Sequence, residues 1–107
     1  MALSAIIFLN IACSEEPPSV RVKNERTTKV NVQVKQYNDN TININNVEGG
    51  TVSGYQDIAE GTFTANAVIQ NETESPSITF RAANDNNYTV VVVNATPPTL
   101  RIDTESK

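Results

Sequence analysis

The chain has 107 residues, a net charge of −4 and a sequence pI near 4.6, enough for one domain with a modest core. Acids and bases are scattered, with no basic patch and no row of aromatics, which excludes the footprint of a nucleic-acid binder. The chain has no His, the commonest general base and metal ligand, and its single cysteine, Cys13, cannot form an internal disulfide.

Residues 2–12 read ALSAIIFLNIA, an apolar run too short to span a bilayer comfortably as a helix, which takes about 20 residues. It suits the hydrophobic region of a signal peptide. Ala12 precedes Cys13, and Ser14-Glu15-Glu16 follows. The arrangement resembles a bacterial lipoprotein signal, which implies cleavage before Cys13 and acylation of Cys13. Two acyl-bearing groups would anchor it, since one chain alone holds a membrane only marginally. The run carries no Lys or Arg, and Asn10 stands where Leu is typical. The acidic pair after Cys13 looks like a surface-export signal of Bacteroidetes lipoproteins. An alternative makes residues 1–12 an ordinary buried element with Cys13 a small core residue. The expected division is a signal peptide over 1–12, an acylated Cys13 with a tether over 13–19, and one domain over 20–104. Pro17-Pro18 predicts a stiff, extended tether that lifts the domain off the membrane.

Strands follow in sequence. Val20 and Val22 alternate with Arg21 and Lys23, and Val30, Val32 and Val34 alternate with Asn31, Gln33 and Lys35. Tyr37-Asn38-Asp39-Asn40 predicts a turn, because Asn and Asp bond their own backbone and tolerate the left-handed region. Ile42 and Ile44 mark the next strand, and Glu48-Gly49-Gly50 the next turn. A strand is predicted over Val52–Ile58, with Gly54 as a bulge candidate. In 62–69, Phe63, Ala65, Ala67 and Ile69 share one face, while Val68 interrupts the polar one. Ile78 and Phe80 give a short strand. Tyr88-Thr89-Val90-Val91-Val92-Val93 has no polar side and predicts a central strand covered on both faces. Pro97-Pro98 breaks the pairing, and Leu100 and Ile102 form a last strand. No window has a sustained helical period. The pattern predicts an all-β fold of about eight short strands, a sandwich or a barrel.

Four pieces carry a family likeness: Val20-Arg21-Val22-Lys23-Asn24, 50–58 (GTVSGYQDI), Ala59-Glu60-Gly61-Thr62-Phe63-Thr64 and 88–93 (YTVVVV). In this order they resemble a bacterial domain family of unknown function, number four-three-nine-seven in that series and common in lipoproteins. The resemblance implies an immunoglobulin-like antiparallel β-sandwich of about 7–8 short strands, at the cell surface or in the periplasm, and it implies no catalytic residues.

Few residues suggest chemistry. Asn38-Asp39-Asn40 and Asn84-Asp85-Asn86 are oxygen-rich, and Asp39 and Asp85 are the weak metal candidates. Each triplet has one carboxylate and neither has calcium-loop spacing, so hairpin turns fit them better. Glu72 with Glu74, and Asp57 with Glu60, are the only acidic pairs in the middle of the chain, and a small sandwich has little room to face them across a cleft. Without His, the usual nucleophile triads cannot be assembled. Three sequons, at Asn71, Asn87 and Asn94, arise readily by chance in an Asn- and Thr-rich chain. Tyr37 and Tyr55 are candidates for an exposed binding patch or for capping the core. The sequence therefore predicts a non-enzymatic domain without cofactor, lipid-anchored at the outer membrane or cell surface, or in the periplasm. It would act as a binding or adhesion module toward a protein or glycan, or else as a self-assembling structural component of the envelope.

Overall fold

The computed structural model describes residues 15–37 and 40–107. The signal segment 1–12, Cys13 and Asp39 lie outside the described residues. Eight strands follow in order: β1 (Ser19–Asn24), β2 (Val30–Gln36), β3 (Thr41–Val47), β4 (Gln56–Asp57), β5 (Gly61–Ile69), β6 (Ser77–Ala82), β7 (Asn86–Val93) and β8 (Thr99–Ser106). They form two four-stranded sheets, ordered β4-β1-β7-β8 and β3-β2-β5-β6. Among the described residues the fold is all-β, a sandwich without helices.

The alternation seen in the sequence builds the core. Val20 and Val22, Val30 to Val34 at every second position, Phe63, Ala65, Ala67, Ile69, Phe80 and Ala82 all point between the sheets and are buried. Tyr88, Val90 and Val92 meet them from β7. Phe80 stacks on Phe63 at 5.8 Å and on Tyr88 at 5.4 Å, which ties the two sheets together. The Tyr88 hydroxyl, at the rim, accepts the Ala83 N–H at 2.9 Å.

One pairing departs from the antiparallel expectation. β1 runs parallel to β7, from Ser19 opposite Asn87 to Asn24 opposite Val92. Alternation fixes which face of a strand is buried but carries no information on the direction of its partner. The predicted strand over Val52–Ile58 is also corrected. Val52 makes a single bridge to Lys23, the ladder lapses over 53–55, and only Gln56–Asp57 pair with β1. Val52 and Tyr55 point to solvent here, 46% and 40% exposed, so no burial holds this edge in register. The turn at Glu48-Gly49-Gly50 is as expected. A side chain at Gly49 would strike the Thr27 backbone, and Gly50 has φ of 76°.

The valine strand is covered on both faces, but only one cover is the core. Val91 is fully buried while pointing away from it. Lys23 on β1 and Arg101 on β8 stand opposite it in register, so their long aliphatic stems supply the outer cover.

The expected free tether is packed instead. The Glu16 N–H donates to Asp85 Oδ1 at 3.0 Å, the Asp85 N–H donates back to the Glu16 carbonyl at 2.9 Å, and the Asn84 amide donates to Glu15 at 2.7 Å. Pro18 is fully buried, and its carbonyl accepts the Ile58 N–H. Contacts with the sandwich run from Glu15 to Lys107, whose N–H donates to the Asp85 carbonyl.

A candidate binding face on the second sheet

The predicted acidic and metal candidates do not converge. Asp57 accepts the Ser19 hydroxyl at 3.1 Å, Glu60 accepts the Asn84 N–H at 3.2 Å, and Glu72 pairs with Arg26 at 3.0 Å. Asp85 Oδ1 is engaged by Glu16, and Asp85 has φ of 66°, so Asn84-Asp85-Asn86 works as a turn and a clamp. Among the described residues no three acidic, Cys or His side chains gather where they could hold a metal.

The two tyrosines do not form one patch. Tyr55 lies under the Arg21 guanidinium, 4.5 Å from its ring centre, and Arg21 in turn donates to Thr89 at 3.0 Å. That face of the first sheet is charged. Arg101 binds Asp103 at 2.9 Å and reaches Glu25 at 3.8 Å, and Lys23 reaches the same Glu25 at 3.7 Å. The hydrogen bond from Arg101 holds the Asp103 carboxyl below its usual range, helped by the charges of Arg101 and Lys23, and it raises the Arg101 guanidinium in return.

The outer face of the second sheet has a different chemistry. Alternation puts Asn31, Gln33 and Lys35 of β2 outward, beside Thr41, Asn43 and Asn45 of β3. On the other flank stand Thr62, Thr64, Asn66 and Val68 of β5, then Ser77, Thr79 and Arg81 of β6. Register sets them in rows. Thr41, Lys35, Thr64 and Thr79 cross the sheet in one line, and Asn43, Gln33, Asn66 and Ser77 in the next. None of these side chains is a carboxylate, although the chain has 12 acids against 8 bases.

Two hollows lie along this face. One, of about 350 Å³, is lined by Lys35, Gln36, Tyr37, Thr62, Thr64 and Asn66. The other, of about 230 Å³, runs past Gln33, Asn43, Asn45 and Val68, and also touches Asn66. Both have Asn66 in their lining, so they lie end to end as a trough over β2 and β5 with Asn66 between them. Tyr37 stands at its end, 96% exposed, and Val68 lies at the other, 58% exposed. Thr64 and Thr79 bond to each other, and the Asn31 side chain accepts the Asn46 N–H at 2.7 Å. The side-chain amides of Gln33, Asn43 and Asn66 make no hydrogen bond among the described residues.

No family model matches the chain, and no curated protein matches it either. The likeness drawn from the four sequence pieces therefore rests on those pieces alone.

Of this face, the sequence pointed to Tyr37 and to Val68 as the break in a polar row. It did not point to Gln33, Asn43 and Asn66 as a group. The available signal was the outward series Asn31-Gln33 and Asn43-Asn45, amides where surface strands more often carry charge.

Proposed function

We propose that this is a lipid-anchored, non-catalytic binding or adhesion module of the bacterial cell envelope, held at the outer membrane or cell surface through Cys13. The observation that carries the reading is the trough on the second sheet, where unpartnered amides and an exposed tyrosine lie on a face that, among the described residues, has no carboxylate. Among the described residues every buried side-chain polar atom except Arg26 Nε is satisfied within the fold, and polar groups left unpaired in an open groove are groups a ligand can reach. No reactive side chains converge near it, which favours binding over turnover. The clamp at Glu15 and Glu16 supports a short anchor. Glu15, held against the β6–β7 turn, is two residues after Cys13, so an acylated Cys13 would seat that end of the domain close to the bilayer.

The anchor is tested by intact mass of the full chain recovered from membranes. Loss of residues 1–12 with a gain of acyl mass is expected, and Cys13→Ser should move the protein to the soluble fraction. A Cys13→Ser protein that stays in the membrane refutes it. The binding role is tested by NMR shifts of the full chain mixed with envelope fractions, expected on β2, β3 and β5. A second reading, a self-assembling envelope component, draws on β8, which leaves one side of an eight-residue strand unpaired. Light scattering separates the two, since a monomer at high concentration excludes edge-to-edge assembly.

A further inference from the structure

Resting on that binding reading, we infer that the trough takes a neutral, hydroxyl-rich polysaccharide laid from Tyr37 across Asn66 toward Val68. Hydrogen bonding gives the first reason. Each amide of Gln33, Asn43 and Asn66 offers a donor pair and an acceptor on adjacent atoms. A sugar hydroxyl is also donor and acceptor at once, so a row of amides can meet successive hydroxyls without a charge on either side.

Charge gives the second. Among the described residues the face carries no carboxylate to repel or orient a cation, and Arg81 lines neither hollow. Among the described residues Lys35 is the one cation lining the trough, and it is already engaged. A polyanion would thus find little compensation here, and the acidic remainder of the chain would oppose it.

Shape gives the third. The two hollows of about 350 and 230 Å³ are open and adjacent at Asn66, unlike an enclosed pocket that buries most of a small ligand. A long chain that makes the same shallow contact repeatedly fits such a surface. The Tyr37 ring, almost wholly exposed, can cover the C–H face of one sugar ring at the end of the trough while its hydroxyl stays wet.

The test is affinity electrophoresis of the full chain in native gels containing laminarin, xyloglucan, mannan or dextran, with pectate and alginate as acidic comparators. Mobility is read against the same protein in a plain gel. Retardation by at least one neutral polymer is expected. Tyr37→Ala, and the triple change Gln33→Ala, Asn43→Ala and Asn66→Ala, should each weaken it by about tenfold or more. Lys23→Ala, on the opposite sheet, should bind as the native chain does, and thermal melts of the surface variants should show that they fold. The inference is overturned if no neutral polymer retards the native chain, or if the trough variants are retarded fully. Retardation by pectate or alginate alone, lost in the trough variants, overturns the ligand class and leaves the binding face standing. The same retardation untouched by those variants overturns both.

Discussion

Lys23 and Arg101 stand on opposite sides of Val91, one on each neighbouring strand, and both reach the Glu25 carboxylate, at 3.7 and 3.8 Å. Their heads are solvated, and exposed ion pairs contribute little. Their stems keep water off a valine that faces away from the core. Lys23→Ser should therefore destabilise by about 0.5–1 kcal/mol through exposed apolar area, while Lys23→Met, which keeps the stem and drops the charge, should fall within a few tenths of the native value. Urea denaturation of both variants checks this. Equal losses would make the charge, not the stem, the active part.

Asn24 is the most thoroughly bonded buried polar side chain of the described residues. Its amide donates to the Thr28 and Val47 carbonyls at 2.7 and 3.0 Å, and its Oδ1 accepts the Arg26 N–H at 2.9 Å. It is 1% exposed, so the Val47 carbonyl, bonded in the interior, would be left dry and the other two partners only partly wetted. Asn24→Ala should cost about 3 kcal/mol, and Asn24→Asp should cost at least as much, because a carboxylate cannot donate to either carbonyl. Chemical denaturation measures both.

The Arg101–Asp103 pair predicts a pH response. Asp103 is held below its ordinary value of 3.8, first by the hydrogen bond from Arg101. A carboxyl lowered in the folded state stabilises it above the ordinary range, and that contribution fades as pH falls through the lowered value. Both groups are exposed, so the effect is small. In NMR the Asp103 carboxyl should titrate below 3.8, and Arg101→Gln should bring it back toward that value. Melting curves of Asp103→Asn and the native chain should converge in acid.

Asp85 combines a left-handed backbone with the clamp on Glu16. Asp85→Ala should lose about 1–2 kcal/mol from strain and the missing acceptor. Asp85→Asn keeps an oxygen acceptor and a residue that tolerates positive φ, so it should lose less than half of that. Limited proteolysis should cut the Ala variant at 15–18 well before the native chain. Equal protection in both would leave the clamp without a role.

Much of this architecture could be read in advance because burial follows a period of two. Val30, Val32 and Val34 could face only one way, and so could Phe63, Ala65, Ala67 and Ile69. The Gly49-Gly50 turn was equally legible from its chemistry. What escaped reading depended on partners distant in sequence. The second cover of Val91 comes from Lys23 and Arg101, which look like ordinary surface charges until β1 and β8 flank β7. Asn24 reads as a turn residue, and only its bond to Val47, 23 positions on, makes it a core residue. The trough needed the register of three strands before Gln33, Asn43 and Asn66 became neighbours.

The parallel pairing of β1 with β7 has a further consequence for how the chain acquires its structure. Arg21 finds Thr89 across a separation of 68 residues, so the first strand has no long ladder to join until almost the whole polypeptide is available. The β3-β2-β5-β6 sheet can assemble earlier, from strands close together in sequence. A chain emerging in order, N-terminus first, would hold its opening segment by no more than the short contact with 52–57 until the valine strand arrives, and complete that sheet late.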